Sequence, residues 1–332
     1  MVKEKVLQAL EQHRGELVSG GTLARELSVS RTAVWKAITT LRNEGFPIES
    51  VAGGGYCLSE TSDALSAAGI TLHLTTDTIG RSLDVFSEID STNSYLKLHA
   101  AELSHGHTAV ADSQTDGRGR RGRSFLSPSG TGVYLSILLH PTLPLEQINR
   151  ITIGAAIAAC HAIEETADFT PSLKWVNDVL KNGKKLCGIL TEASVEAETG
   201  SLSYAIVGIG INVRTPDGGY PEELRGIAGN LEEFSDHSVH RNVLVAHFLN
   251  HFERCYHLIE SGDVDALMTD YRSYMHFLNQ EIRIINDGAV EPAIARDITN
   301  EGYLVVEQNG VRRALNSGEI SIRLEEQTDL PK

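Results

Sequence analysis

No C-x-x-C pair, no long apolar run and no excess of basic charge occur in this sequence, and each absence removes a class of protein. Cys57, Cys160, Cys187 and Cys255 are scattered, which speaks against a disulfide framework or a paired-cysteine zinc site and fits a reducing cytoplasm. Nowhere is there the run of about 18 apolar residues that a spanning helix needs. The N-terminal stretch alternates charged with apolar residues and lacks the continuous apolar core of a signal peptide, so a cytoplasmic location is expected. A formal charge of -15 argues against a chain that coats nucleic acid along its whole surface, though a local DNA-reading module remains open. Aromatics are sparse at 6%, yet 41% hydrophobic and 22% charged residues without a low-complexity tract describe a globular protein.

What is present divides the chain. A length of 332 residues suggests two or three domains at about 150 residues each. Residues 1–60 hold seven Lys/Arg and seven Asp/Glu, so the entire negative balance lies beyond them. Within that neutral segment Val2, Val6, Leu7 and Leu10 recur at helical spacing, a short helix follows over 21–27, and Ser30 is placed to cap a third helix over 31–44. Val34, Ile38 and Leu41 form the buried stripe of this helix, Trp35 reads as core, and Arg31, Thr32, Lys36 and Thr39 make a short polar and basic face. Extended segments at 47–50 and 56–58, bridged by Gly53-Gly54-Gly55, form a hairpin. Together they predict a winged helix-turn-helix over 1–62, with those four polar residues as candidate DNA contacts. A small helical packing module that touches no DNA is the alternative.

Residues 59–69 are small and polar and read as a linker or hinge helix. Beyond it strands and helices interleave: a helix capped by Ser91, strands at 109–113 and 133–139, a helix over 145–165, a strand ending at 174–178, a tight turn at 181–184, and apolar strands at 186–193 and 204–213. The long Pro- and Gly-containing stretch 214–229 reads as a lid, and 241–273 as helix. Five short strands between 281 and 323, joined by Gly-containing turns, predict a small SH3-like barrel. The expected fold class is a multidomain α+β protein: a winged helix-turn-helix over 1–62, a mixed-sheet α/β domain over 63–276 and an SH3-like domain over 277–332.

Chemistry concentrates in a few stretches. Gly117 to Gly122 reads GRGRRG; glycines admit close backbone approach and arginines offer forked donors, a combination suited to gripping phosphate. Nucleic acid would satisfy it too, but its position between strands of the acidic domain favours a small phosphorylated ligand. Lys174-Trp175-Val176-Asn177-Asp178 can hold a metal-bound phosphate or orient an amine, or be an Asx turn ending a strand. Lys185 precedes the apolar run Leu186-Cys187-Gly188-Ile189-Leu190. Gly208-Ile209-Gly210-Ile211-Asn212 lacks the third glycine and following helix of a dinucleotide fingerprint and suggests close packing beneath a ligand. His247, His251 and Cys255 have metal-ligand spacing, but the apolar residues beside them favour an ordinary helix face. No metal-ligating residues are assigned. His105 and His107 have no recognisable triad partner, so serine-triad catalysis is not expected.

The helix-turn-helix, Ser91-Thr92-Asn93, the GRGRRG loop, the KWVND segment, Lys185 in KLCGIL, GIGIN and the terminal SGEISIR occur in one order along essentially the full chain. In that combination the chain resembles the bifunctional biotin–protein ligases and biotin-operon repressors. The resemblance implies a central ligase domain that uses ATP and Mg²⁺ to convert biotin to biotinyl-5′-AMP and then transfers biotin to a lysine of a biotin carboxyl carrier protein. It implies that Ser91, Thr92, Asn93 and Gln114 line the biotin pocket with Gly188 and the arginine-loop backbone at Gly119, and that Arg118 and Arg120 hold the adenylate phosphate. Lys185 would offset charge at the carboxylate and α-phosphate, while Asn177 and Asp178 would bind the nucleotide side and position the incoming amine. It further implies a homodimer that, when loaded with adenylate, represses biotin genes through operator DNA. Two positions depart from the family pattern: Val176 stands where proline is usual, and Leu315 where some members stack a tryptophan on adenine. A ligase without operator binding, a transcription factor that binds the ligand without transferring it, and a lipoate-type ligase are the alternatives.

Overall fold

The computed structural model describes residues 2–51, 53–196, 201–286, 289–315 and 321–324. The Asp287-Gly288 turn and the first part of the SGEISIR run lie outside these. Two compact units are present: Met1–Thr75 with His240–Ala246, and Thr76–Val239 with His247–Lys332.

The first unit holds α1 (Val2–Gln12), α2 (Gly20–Glu26), α3 (Arg31–Asn43), β1 (Ile48–Val51), β2 (Gly55–Leu58) and α4 (Ala67–Thr71). Ser19 and Ser30 cap α2 and α3, their hydroxyls accepting from Thr22 N at 3.0 Å and Ala33 N at 3.1 Å, which satisfies amide groups that a helix start leaves free. Val6, Leu10, Leu23, Val34, Ile38, Leu41 and Leu58 fill the core between them. The β1–β2 hairpin pairs Ile48 with Leu58 and is tied to Val18 by reciprocal backbone bonds with Tyr56 of 2.8 and 2.9 Å. Gly55 is obligatory there: φ is 134° and a Cβ would lie 2.2 Å from the Val18 carbonyl oxygen. Arg31, Thr32, Lys36 and Thr39 are all exposed. So is Trp35, at 56%, which corrects its reading as core; it sits one helical turn from Arg31 and Thr39, while the buried stripe runs through Val34, Ala37, Ile38 and Leu41. The linker expected at 59–69 is pinned. Asp63 accepts from Arg241 Nε at 2.7 Å and Arg241 N at 2.8 Å, and Asn242 accepts from Ser66 N at 3.0 Å.

The second unit is built on a seven-stranded sheet of β3 (Leu83–Phe86), β4 (Thr108–Ala111), β5 (Gly132–Leu139), β6 (Ser172–Lys174), β7 (Asp178–Lys181), β8 (Lys184–Val195) and β9 (Leu202–Asn212) in the order β3-β4-β5-β9-β8-β7-β6. β3 and β4 are parallel and the other neighbours antiparallel, the mixed sheet expected from the sequence. The tight turn between β7 and β8 places Asn182 at φ 49° and Gly183 at φ 76°, as a two-residue hairpin requires. α5 (Thr92–His99) and α6 (Ile148–Ala167) pack on the sheet. The helix read over 241–273 is two, α7 (Arg241–Ser261) and α8 (Val264–Ser273), separated where Gly262 turns at φ 77° and Asp263 caps the next start. β10 (Glu281–Asn286), β11 (Ala289–Ile298), β12 (Leu304–Gln308), β13 (Val311–Leu315) and β14 (Ser321–Leu324) form an antiparallel sheet in the order β13-β12-β11-β10-β14. This is the C-terminal SH3-like domain; among the described residues no ladder joins β13 to β14 to close it into a barrel.

α6 and α8 meet at His161, whose Nε2 lies 2.8 Å from Asp270 Oδ2. That hydrogen bond, helped by the fields of Asp270, Glu164 and Glu165 and opposed by burial, raises the His161 pKa above its ordinary value. A raised folded-state pKa contributes stability that is complete below the unfolded value, about 6.5, and is lost as pH climbs through the folded one. Replacing His161 with Gln is therefore expected to lower the melting temperature more at about pH 6 than at about pH 8.5. Equal deficits at the two pH values would refute the assignment.

Candidate functional site

A cleft opens against the sheet of the second unit, lined by residues 91–93, Gln114, residues 118–120, Phe125, Leu135, Asn177, Lys185, residues 188–190 and residues 208–210. Every residue expected to bind ligand in this domain lies on that wall except Asp178. Asp178 reaches it through an ion pair, its Oδ1 2.7 Å from Lys185 Nζ.

One end of the cleft is a hydrogen-bonded network at the start of α5. Ser91, Thr92 and Asn93 are 1%, 3% and 5% exposed. Gln114 Oε1 accepts from Thr92 N at 2.9 Å and lies 3.1 Å from Thr92 Oγ1, and its Nε2 donates to Ser127 Oγ at 3.1 Å. Thr92 Oγ1 meets Ser136 Oγ at 2.7 Å, Ser136 Oγ donates to Asn93 Oδ1 at 2.5 Å, and Asn93 Nδ2 donates to Glu192 Oε2 at 2.7 Å. Buried polar groups satisfied by one another in this way hold a single arrangement, so donors and acceptors at this end are preset. Ser136 and Glu192 escaped the sequence reading because isolated polar residues in apolar strands carry no local signature.

The floor is glycine. Gly188 of β8 pairs with Gly210 of β9, and Gly208 faces the same way as Gly210 two residues along its strand. A Cβ on Gly210 would stand 2.4 Å from the Phe125 ring, and one on Gly208 2.2 Å from Asn93 Oδ1. The GIGIN glycines thus admit an aromatic ring and the α5 start, close packing as the sequence suggested. Phe125 was missed as a lining residue; its signal was an aromatic directly after the arginine loop, opposite glycines on adjacent strands. Gly208→Ala is expected to displace Asn93 and raise the KM for the ligand bound at this end by about tenfold or more, with a smaller change in kcat. Unchanged KM in steady-state assays would rule out that the α5 start contributes to binding.

The other end is cationic. Arg120 NH1 donates to Asn177 Oδ1 at 2.9 Å, and Asn177 Nδ2 donates to the Ile189 carbonyl at 3.0 Å. The Arg120 pKa is lowered by burial, with Asp178 opposing, but a guanidinium stays charged at any physiological pH. The Lys185 backbone is clamped by the end of the expected lid: its N–H donates to Ile227 O at 2.7 Å and its carbonyl accepts from Gly229 N at 2.9 Å. The arginine loop is a hairpin. Gly119 N donates to Arg123 O at 2.7 Å and Phe125 N to Gly117 O at 2.8 Å, while Arg121 (φ 57°) and Gly122 (φ 72°) turn its tip. Arg118 pairs with Asp116 at 3.5 Å.

Other candidates fall away from the cleft. His247 Nδ1 and His251 Nε2 both meet the Glu165 carboxylate, and burial pushes the Cys255 thiol up to about 12. His107, read as having no recognisable triad partner, meets two polar groups: Nδ1 lies 2.7 Å from Ser82 Oγ and Nε2 3.0 Å from Asp84 Oδ2. Sequence spacing missed them because the parallel pairing of β3 and β4 brings residues 82–84 beside 107–109. None of the three lines the cleft; they tie β3 to β4. Cys187, wholly buried behind Lys185, has its thiol pKa raised by burial and offers no nucleophile.

Residues 85–212 match the model of the biotin/lipoate A/B protein ligase family, residues 2–57 an HTH domain, and residues 277–323 the biotin protein ligase C-terminal domain. The bifunctional ligase/repressor BirA of Bacillus subtilis is 34% identical over 97% of this chain and 98% of its own length. The protein of the same description from Escherichia coli K12 is 32% identical over 93% of this chain and 94% of its own. Among solved structures, a biotin protein ligase from Aquifex aeolicus in complex with biotin and ATP superposes with a TM-score of 0.65 at 30% identity, covering 73% of this chain and 99% of that one.

Proposed function

Because this chain belongs to the family of bifunctional biotin–protein ligases and biotin-operon repressors, we propose that its cleft activates biotin with ATP and passes it to a protein lysine. One observation carries the reading: a single cleft joins a preset polar end, a glycine floor under Phe125 and a cationic end. Biotin has the matching parts, a ureido ring, an apolar ring and chain, and a carboxylate to be joined to phosphate.

In the first step a biotin carboxylate oxygen attacks the α-phosphorus of ATP, and the bond to the β-phosphate oxygen breaks, giving biotinyl-5′-AMP and pyrophosphate. Thr92, Asn93 and Gln114 orient the ureido ring, and Ser91 caps the helix start that presents them. Gly188 admits the apolar chain. Lys185 and Arg120 oppose the charge gathering at the phosphate, with Arg118 and the Gly119 backbone beside them. In the second step the ε-amine of an acceptor lysine attacks the acyl carbon and AMP leaves; Asp178 and Asn177 line the approach, and the carboxylate can take the amine's proton. The arginine hairpin excludes water from the mixed anhydride between steps. Mg²⁺ would enter with the nucleotide and neutralise phosphate charge. Asp178 suits it, since Mg²⁺ needs one or two carboxylates besides phosphate oxygens and water.

The acceptor in this reading is a biotin carboxyl carrier protein, and the adenylate-loaded homodimer is a repressor whose operator is read by Arg31, Thr32, Lys36 and Thr39. The three-domain division 1–62, 63–276 and 277–332 separates reading, chemistry and the C-terminal sheet. No described helix is long and apolar enough to cross a membrane, and a cytoplasmic location suits both carrier and DNA. The test is purified protein with biotin, ATP and Mg²⁺: pyrophosphate release and labelled carrier are expected, and neither appearing would overturn the ligase. Lipoate outcompeting biotin would make it a lipoate-type ligase. Adenylate-dependent binding to DNA upstream of biotin genes is expected; equal, salt-sensitive binding to random sequence would leave a ligase without operator binding.

A further inference from the structure

The β6–β7 turn carries Asn177 and Asp178, and through them touches two cations of the cleft, Arg120 at 2.9 Å and Lys185 at 2.7 Å. Its two strands are only three and four residues long, a ladder too short to hold a turn rigidly. Val176 at its apex imposes no ring restraint on the backbone. Fixity comes from outside. The Tyr271 hydroxyl, on α8, donates to the Val176 carbonyl at 3.0 Å. Trp175 Nε1 donates to the Gly302 carbonyl, between β11 and β12, at 2.8 Å. Ile189 N donates to the Asn177 carbonyl at 3.0 Å, and Leu173 N to the Tyr274 carbonyl at 2.9 Å. Tyr271 is 0% exposed, so its hydroxyl has no water to compete for it.

We propose that Tyr271 is a positioning residue for adenylate formation, with Trp175 as its second anchor: by holding the Val176 carbonyl it fixes Asn177, and Asn177 fixes the Arg120 guanidinium. The inference rests on the ligase reading. Removing the hydroxyl leaves the Val176 carbonyl buried without this donor, and the turn relaxes toward any other partner. Asn177 then drifts from Arg120, and a phosphate-aligning cation is misplaced by a fraction of an ångström. The biotin end at Thr92 and Gln114 belongs to other elements and stays as it was. The signature is therefore a fall in kcat without a matching rise in the KM for biotin.

The experiment is biotin-dependent ATP–pyrophosphate exchange by the full chain carrying Tyr271→Phe, Asn177→Ala and both. Tyr271→Phe is expected to lower kcat on the order of tenfold with the KM for biotin nearly unchanged. In the Asn177→Ala background the same change is expected to cost nothing more, because the residue it positions is gone. A role confined to stabilising the fold would reduce activity equally in both backgrounds, and that result, or an unaltered kcat, overturns the proposal. If Tyr271→Phe shows no cooperative melt, Trp175→Phe removes the second anchor and must show the same dependence on Asn177. Exchange absent from the unaltered protein overturns the ligase reading and this proposal together; exchange present but uncoupled overturns this proposal alone.

Discussion

Replacing Lys185 with alanine is expected to slow adenylate formation by about a thousandfold, equivalent to about 4 kcal/mol of transition-state stabilisation. The ammonium lies 2.7 Å from Asp178 Oδ1, on a backbone clamped by Ile227 and Gly229. It is thus preorganised at the cationic end before substrate arrives, and little rearrangement is needed as charge builds on the phosphate. Its side chain is 32% exposed, so its pairing contributes little to folding after solvent screening. The variant should melt within a few degrees of the parent while pyrophosphate exchange collapses. Because the proposed ureido site lies at the other end of the cleft, the KM for biotin should move far less than kcat. Retention of activity within about tenfold would remove Lys185 from the chemistry.

The features legible in the sequence are those with strong local periodicity or turn chemistry. Ser30 followed by the Val34, Ile38 and Leu41 stripe gave α3 its start and buried face, and Asn182-Gly183 located a hairpin that the structure contains. β3 was not legible: Leu83-Asp84-Val85-Phe86 is a four-residue edge strand, half-buried throughout, with a carboxylate in it. The break between α7 and α8 hangs on one glycine, and isolated glycines within helical patterns are tolerated too often to mark an end. Trp35 was misread because bulk and aromaticity suggest burial, whereas the helix phase set by Ser30 turns it outward.

The cleft was legible for a different reason. Ser91 to Asn93, Gln114, Arg118 to Arg120, Asn177, Lys185 and Gly188 lie far apart in sequence, and composition or spacing alone could not bring them together. Their order along the chain, matched to a known family, did so. What that order could not supply is the set of contacts that holds each group in place. Ser136 and Glu192 complete the network around Asn93, and Phe125 fills the space that the strand glycines leave. Tyr271 reaches the β6–β7 turn across 95 residues of sequence. These are tertiary facts, set by which strands are neighbours.

Arg120→Ala separates forming the adenylate from keeping it. Arg120 donates a direct hydrogen bond to Asn177 at 2.9 Å, so it ties the hairpin to the sheet side as well as facing the phosphate in the proposed reaction. Lys185 remains in the variant, so activation of biotin should persist at a reduced rate. Loss of one charge-assisted contact to the phosphate, together with the tie, is expected to speed adenylate release on the order of a hundredfold. Released adenylate is a reactive mixed anhydride that acylates any lysine it meets. The variant mixed with carrier protein and a bystander such as serum albumin should therefore biotinylate both, where the parent labels the carrier alone. Labelling should spread to bystanders even across a dialysis membrane that the enzyme cannot pass, because the escaping species is small. Strict carrier specificity in the variant would mean that the loop does not retain the intermediate, and the GRGRRG hairpin would then need another role.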